Sequence, residues 1–324
     1  MKKYLLLLPL LSNIIAFGQQ SKSDEQLDFL KKMMYSSLQM SFPQNATPPS
    51  NKIKTDYTFP WLEIQEIDKA AFTNELKNFV NKYEFRLDDI TLVLFSSFSN
   101  NFEISEKYLS IDIINQQLKD EKGAVVEIKP ASKYVDLSYK SVSIEIYDDQ
   151  GEVVDYKDSS YINIDKSFDV KGDYNQLTGT VTVETRQLVS YNYKKITTAD
   201  IGKEIIFGSN KMKVLSIKNN VFTYQLLEGD GEFSHFATNK NDEAYKDNTS
   251  RSKVSQQDID FVNSHPNFTQ EDVNQYVESI KDLIAQKKIV KNIFVVRYDG
   301  NVSNVYLYKP ETYITETKVV KVEL

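Results

Sequence analysis

Apolar positions recur along this chain at two spacings, and the change between them divides it. From Leu27 they fall at steps of three and four, through Leu30, Met34 and Leu38 with Met33 alongside. This is the stripe of an amphipathic helix running to about Met40. Ser23, followed three positions later by Gln26, has the form of a capping box and sets its start. A methionine-bearing stripe can be an adaptable partner-binding face, but at helical spacing its ordinary use is core. Pro43, Pro48, Pro49 and Pro60, set among Asn, Thr and Ser, then predict a loop or tether over 42–60. Asp68 stands where a cap belongs, and Phe72, Leu76, Phe79, Val80 and Tyr83 predict a second helix behind it.

From there the period moves towards two. Residues 90–95, rich in β-branched side chains and Leu, predict the first strand, and 105–119 reads either as strand or as strand turning into helix. Strands over 143–147 and 152–156 are joined by Asp148, Asp149, Gln150 and Gly151, the composition of a hairpin turn. Alternation over 179–193 changes register near 186–188, which predicts a bulge or a strand crossing between sheets. A three-strand meander follows over 203–207, 211–217 and 221–226, and then a long polar stretch reads as an exposed loop. Thr269 and Asp272 form a second capping box, Phe268 can staple onto Val273, and Tyr276, Val277, Ile280, Leu283 and Ile284 carry a helix to about Lys287 and Lys288. Two apolar runs flanking Asp299-Gly300-Asn301 predict a closing hairpin, and a final run covers 312–322.

These elements predict an α+β fold. It has an N-terminal helical segment with a Pro-rich loop over 19–88 and a central antiparallel β-sandwich-like domain over 89–232. A polar loop over 233–255 and a C-terminal helix plus β-hairpin over 256–324 complete it.

The first eighteen residues fit neither spacing. Lys2 and Lys3 precede an apolar run over 4–17, interrupted by Pro9, Ser12 and Asn13 and closed by Ala16 and Gly18. The run is too short and too broken to span a bilayer, and its small residues suit a signal peptidase, so 1–18 is expected to be a cleaved signal peptide with Gln19 as the new N-terminus. The expected location is the periplasm, the cell surface or the outside. Losing this leader takes the formal net charge from −7 to −9, and arginine occurs only at Arg86, Arg186, Arg251 and Arg297, so nucleic acid is not an expected partner. The chain has no cysteine, which excludes disulfides, thiolate metal sites, cysteine nucleophiles and a lipid anchored through cysteine, and points to a bacterial source. A mean hydropathy of −0.45 with three amphipathic helices argues against an integral membrane protein.

Candidate chemistry is sparse. His235 and His265 are the only histidines and have no metal-ligand spacing around them. Glu228-Gly-Asp230-Gly-Glu232 and Asp148-Asp149 concentrate carboxylates without the spacing of a calcium loop, and such turns form because Asp and Gly suit turn dihedrals. There is no nucleophile elbow and no phosphate loop, so no cofactor is expected. A pair of hydrolytic carboxylates could be drawn from 46 Asp plus Glu without leaving a signature. Tyrosine is plentiful, and Tyr191, Tyr193, Tyr306 and Tyr308 fall at strand positions, where they form either a binding surface or ordinary half-buried sheet pairs. The expectation is an exported bacterial binding or envelope-associated interaction protein without catalysis, whose partner is a protein or a glycan. The alternative is a secreted hydrolase acting on glycans or peptides.

Overall fold

The computed structural model describes residues 23–324 apart from 45–48, 56, 65–67, 89–90, 100–106, 133, 148–149, 151–152, 172–175 and 246–249. The expected signal peptide at 1–18 and the turn residues Asp148, Asp149 and Gly151 lie outside the described residues. The helices are α1 (Ser23–Ser41), α2 (Pro60–Glu63), α3 (Lys69–Asn81), α4 (Gln256–Ser264) and α5 (Gln270–Ala285). The strands are β1 (Glu84–Asp88), β2 (Thr91–Ser99), β3 (Leu109–Asp120), β4 (Val125–Val126), β5 (Ile128–Pro130), β6 (Asp136–Tyr147), β7 (Val153–Val170) and β8 (Leu177–Thr197). They continue with β9 (Glu204–Phe207), β10 (Asn210–Lys218), β11 (Val221–Glu228), β12 (Ser234–Thr238), β13 (Ser250–Ser255), β14 (Lys291–Arg297) and β15 (Asn304–Glu323). Strands make up 52% of the structure, in antiparallel sheets of which one curls into a half barrel, so the fold is mostly β with helices, consistent with α+β. The chain divides into two compact units, Met1–Tyr57 with Tyr193–Lys309, and Thr58–Asn192 with Pro310–Leu324.

The first unit is built around the sheet β13-β14-β11-β10-β9. Strand β14 is apolar at four consecutive positions, Ile293 to Val296, and all four are buried. Such a run has no polar face to give to solvent, so both of its faces need cover. Ile293 and Val295 pack with Val254 against Phe42 and Ile259, on the side of the helices. Phe294 and Val296 join Phe222, Tyr224, Met212, Val305 and Leu307 on the other side. Helices α1, α4 and α5 form a core of their own from Met34, Leu38, Phe261, Phe268, Val273, Tyr276, Val277 and Ile280. The methionine stripe of α1 therefore serves as core, each large side chain contributing roughly 2 kcal/mol on burial. Arg297 donates from Nε and Nη2 to the Ser41 carbonyl at 3.2 and 2.9 Å, placing a cation on the C-terminus of α1.

In the second unit, Asp68 accepts from the Ala70 and Ala71 amides at 3.0 and 3.1 Å and starts α3 where the sequence placed it. The helix lays Phe72, Leu76, Phe79 and Val80 into a core shared with Leu92, Leu94 and Phe98 of β2, Ile162, Ile164 and Phe168 of β7, and Val181 and Val183 of β8. Lys166 is a buried cation on the core side of β7. It is held by the carbonyls of Ser132 at 2.6 Å and Tyr134 at 3.0 Å, and desolvation lowers its pKa.

Several expectations need correction. Residues 109–120 form one strand, and a bulge between Ile113 and Asn115 places apolar residues at consecutive positions, which imitated a helical step. The hairpin around Gln150 is far longer than 143–156, since β6 pairs with β7 from Asp136↔Asp165 to Tyr147↔Val153. The stretch 233–255 is not all loop, because β12 and β13 lie within it. β13 reads Ser-Arg-Ser-Lys-Val-Ser, polar because it is an edge strand with few side chains turned to the core. Helix α4 was not expected, although Ser255 and Asp258 form its capping box. The closing hairpin is absent: β14 pairs with β11 and β13, whereas β15 pairs with β12 and neighbours β8. The Asp-Gly turn is there, but the Tyr245 ring lies flat against Gly300, where an added Cβ would sit 2.0 Å from it. The turn carries the chain out of one sheet into another because β14, apolar on both faces, needs the interior position.

Candidate functional site

Strands β12 and β15 pair with Ser234↔Tyr308, Phe236↔Tyr306 and Thr238↔Asn304 on one face, and with His235↔Leu307 and Ala237↔Val305 on the other. Ala237, Val305 and Leu307 belong to the core, so period two turns Phe236, Tyr306 and Tyr308 away from it. There the rings cluster. Phe236 stacks on Tyr306 with centroids 5.3 Å apart and meets Tyr308 at 5.7 Å. Tyr57 meets Phe236 edge-on at 5.3 Å, and Lys54 lies 4.9 Å from the Tyr57 ring. Tyr57 and Lys54 reach this place because the Pro-rich segment is laced to the fold, with the Asn51 amide on the Asp299 carbonyl and the Lys54 amide on the Ala244 carbonyl, both at 2.8 Å.

One carboxylate organises the edge of the cluster. Asp242, at φ +60°, accepts on Oδ1 from Asn304 at 2.7 Å, from the Tyr306 hydroxyl at 3.0 Å and from Thr238 at 3.1 Å. Lys195 donates to its Oδ2 at 2.8 Å and lies 5.4 Å from the Tyr306 ring. Partial burial raises the Asp242 pKa, but the hydrogen bonds from Lys195 and Tyr306 outweigh it and hold the carboxyl below its usual range. Desolvation raises the Tyr306 phenol. Tyr306 is thus fixed at both ends, by a stack and by a charge-assisted hydrogen bond.

The four tyrosines singled out from the sequence do not form one site. Tyr306 is 7% exposed and Tyr308 is half-buried in the cluster just described. Tyr193 is 50% exposed and lies two residues before Lys195 on β8, hence on the same face of that strand. Tyr191 belongs to the second unit, where it meets Tyr108 edge-on at 6.3 Å. Sequence reasoning passed over Tyr57 and Phe236, because one sits in a Pro-rich segment and the other in a polar stretch. Residues 234–238, Ser-His-Phe-Ala-Thr, do not alternate between polar and apolar, so the strand that carries Phe236 left no signal of that kind.

Both histidines have local roles. The Tyr298 hydroxyl lies 3.0 Å from Nδ1 of His235, whose pKa is pushed down to about 4 by burial, with Arg251 adding to the effect. His265 stacks on Phe261 at 4.7 Å. The acidic glycine turn behaves as a turn, with Gly229 and Gly231 at positive φ and Asp230 accepting from the Glu232 amide at 2.8 Å. Asp136 and Asp165 face each other across β6 and β7, and Asp165 is raised by desolvation and then by Asp136. Among the described residues no group of three or more His, Cys, Asp or Glu could hold a metal ion, and no helix is long and apolar enough to cross a membrane.

An open cleft of about 450 Å³ lies between α4 and α5, lined by Phe261, Tyr276 and Ile280 together with polar residues of both helices. Phe261 and Tyr276 stack at 4.4 Å beneath it. The Tyr276 hydroxyl donates to the buried Asp258 at 2.8 Å, and desolvation and that carboxylate raise its pKa strongly. Neither this cleft nor the ring cluster on β12 and β15 can be assigned by likeness: no family model, no curated protein and no solved structure matches this chain.

Proposed function

We propose that this is an exported bacterial protein that binds a partner without transforming it, as a binding or envelope-associated interaction protein. The observation that carries the reading is the ring cluster of Tyr57, Phe236, Tyr306 and Tyr308. It lies on the side of β12 and β15 turned away from the core, with Lys54 and Lys195 beside it. Aromatic anchors supply much of the energy of binding surfaces, and rings already held in place lose little entropy when a partner arrives. Asp242 provides that order for Tyr306. Tyrosine faces suit two partner classes, the apolar face of a sugar ring and the side chains of a protein. A nucleic acid does not fit a chain of net charge −7. In the same reading residues 1–18 direct export and are removed, and the antiparallel strands of 89–232 form a sandwich-like domain.

Arrays of glycans and peptides probed with the purified protein test this. A hit is expected to weaken about fivefold or more in Tyr193→Ala and in Tyr308→Ala, with the unfolding transition retained. Turnover of the hit, lost on replacing a single carboxylate in a protein that stays folded, would replace this reading with the hydrolase.

A further inference from the structure

Strand β13 ends its sheet, pairing with β14 on one side and with no strand on the other. Over 250–253 it faces solvent, with Ser250, Arg251 and Lys253 exposed and Ser252 half-buried. Among the described residues, no backbone or side chain outside the β14 pairing hydrogen-bonds to the main chain of these four. The amides and carbonyls that point away from β14 are therefore half of a ladder whose other half is missing.

Two cations mark one face of this edge. Arg251 and Lys253 are two residues apart, opposite Val296 and Phe294 of β14, and so share a face. Arg251 is fixed there, its guanidinium 4.3 Å from the centre of the Phe294 ring and its Nη2 donating to the Tyr224 hydroxyl at 2.5 Å and the Gly231 carbonyl at 3.2 Å. Those acceptors are neutral, and Nε and Nη1 keep their protons for another partner. Lys253 Nζ lies 5.5 Å from the same ring. Among the described residues neither cation has a carboxylate in ion-pair reach. The acids of the adjoining turn do not supply one, since Asp230 accepts the Glu232 amide at 2.8 Å instead. Burial lowers the pKa of His235 and the Arg251 charge lowers it further, as a guanidinium without a counter-ion should.

We propose that the outer edge of β13 is a docking site for an extended acidic peptide, which joins the sheet as a further strand and sets carboxylates at alternate positions against Arg251 and Lys253. The open half-ladder asks for a peptide backbone, and cations at period two ask for acids at the same period. A second copy of β13 does not meet the second demand. Antiparallel pairing about a two-fold axis would set its Arg251 and Lys253 on the same face as these, like charge against like. The cations thus turn away other copies of the edge while favouring an acidic strand. The site is separate from the ring cluster and does not depend on it.

Titration of the isotope-labelled protein at low salt with three peptides tests this. They are acetyl-Val-Glu-Thr-Glu-Val-amide, its counterpart with Gln for both Glu, and its counterpart N-methylated at the three central residues, which keeps the carboxylates and loses the backbone donors. Saturable shifts in the amide signals of 250–253 are expected with the first. The Gln peptide and the N-methylated peptide should each bind about fivefold or more weakly, the one for want of charge and the other for want of a ladder. Lys253→Glu, at an exposed position, should weaken the acidic peptide by a similar factor with the unfolding transition retained. The proposal is overturned by the absence of saturable shifts up to about 5 mM peptide, by equal binding of the Gln peptide, or by an unaltered response in Lys253→Glu. Equal binding of the N-methylated peptide would overturn it as well, leaving a pair of cations that attracts any anion. Shifts confined to 234–238 and 304–308 would also overturn it and would place the peptide on the ring cluster.

Discussion

His235 and Phe236 are neighbours on β12 that point to opposite faces, and the two faces make opposite demands. Phe236 joins an outward ring cluster, whereas His235 sits beside Tyr298 and within reach of the Arg251 field. With its pKa near 4 in the fold and about 6.5 in the unfolded chain, the unfolded state takes up a proton first as pH falls. His235 therefore leaves stability unchanged above about pH 6.5, subtracts from it progressively between 6.5 and 4, and adds nothing further below. Its share amounts to about 3 kcal/mol. Denaturant unfolding across this range should show that loss, and His235→Gln, which accepts from Tyr298 without titrating, should flatten the slope there. An unaltered slope would mean that the ring is hydrated in the fold. Asp242 contributes in the same direction at lower pH, since its depressed carboxyl stabilises the fold until it is protonated. At this scale the sequence was partly legible. Tyr306 and Tyr308 could be named from strand position, but Asp242 could not. Its role depends on a turn that returns it to Lys195, 47 positions away along the chain.

Capping chemistry was the most readable feature at the scale of elements, and it offers the sharpest stability test. Thr269 and Asp272 bracket the start of α5 as the sequence predicts, and Thr269→Ala should cost about 1 kcal/mol in denaturant unfolding. Ser255→Ala should cost more, because Ser255 is fully buried and its partner Asp258, also buried, is shared with the Tyr276 hydroxyl. Equal costs would show that the α4 cap contributes no more than a solvated one. The box at Ser255 and Asp258 was overlooked because it follows a polar stretch that lacks core-forming residues. β12 and β13 were hidden for a related reason: a short strand or an edge strand need not alternate visibly, since so few of its side chains face the core. The closing hairpin failed for a different reason. A local Asp-Gly signal fixes a turn, whereas the pairing of the strands it joins is decided by burial, and Ile293 to Val296 needed cover on both faces.

For the whole molecule, the coarse reading of mostly antiparallel β with flanking helices was legible because turn residues and period changes are local. The division into two units was not, since the chain passes between them at 57–58, 192–193 and 309–310, and the last two crossings fall inside the continuous strands β8 and β15. Export is a claim at this scale. N-terminal sequencing of material secreted by a bacterial host should begin at Gln19, and retention of residues 1–18 in that material would remove export from the account. The central claim is binding at the ring cluster without chemistry. It is tested most directly by titrating the best array ligand into wild-type protein and into Tyr308→Ala by calorimetry, followed by mass analysis of the recovered ligand. The account predicts saturable binding by wild type, affinity reduced about fivefold or more in the variant, and ligand recovered intact. Equal affinity in the two proteins, or a cleaved ligand, would contradict it.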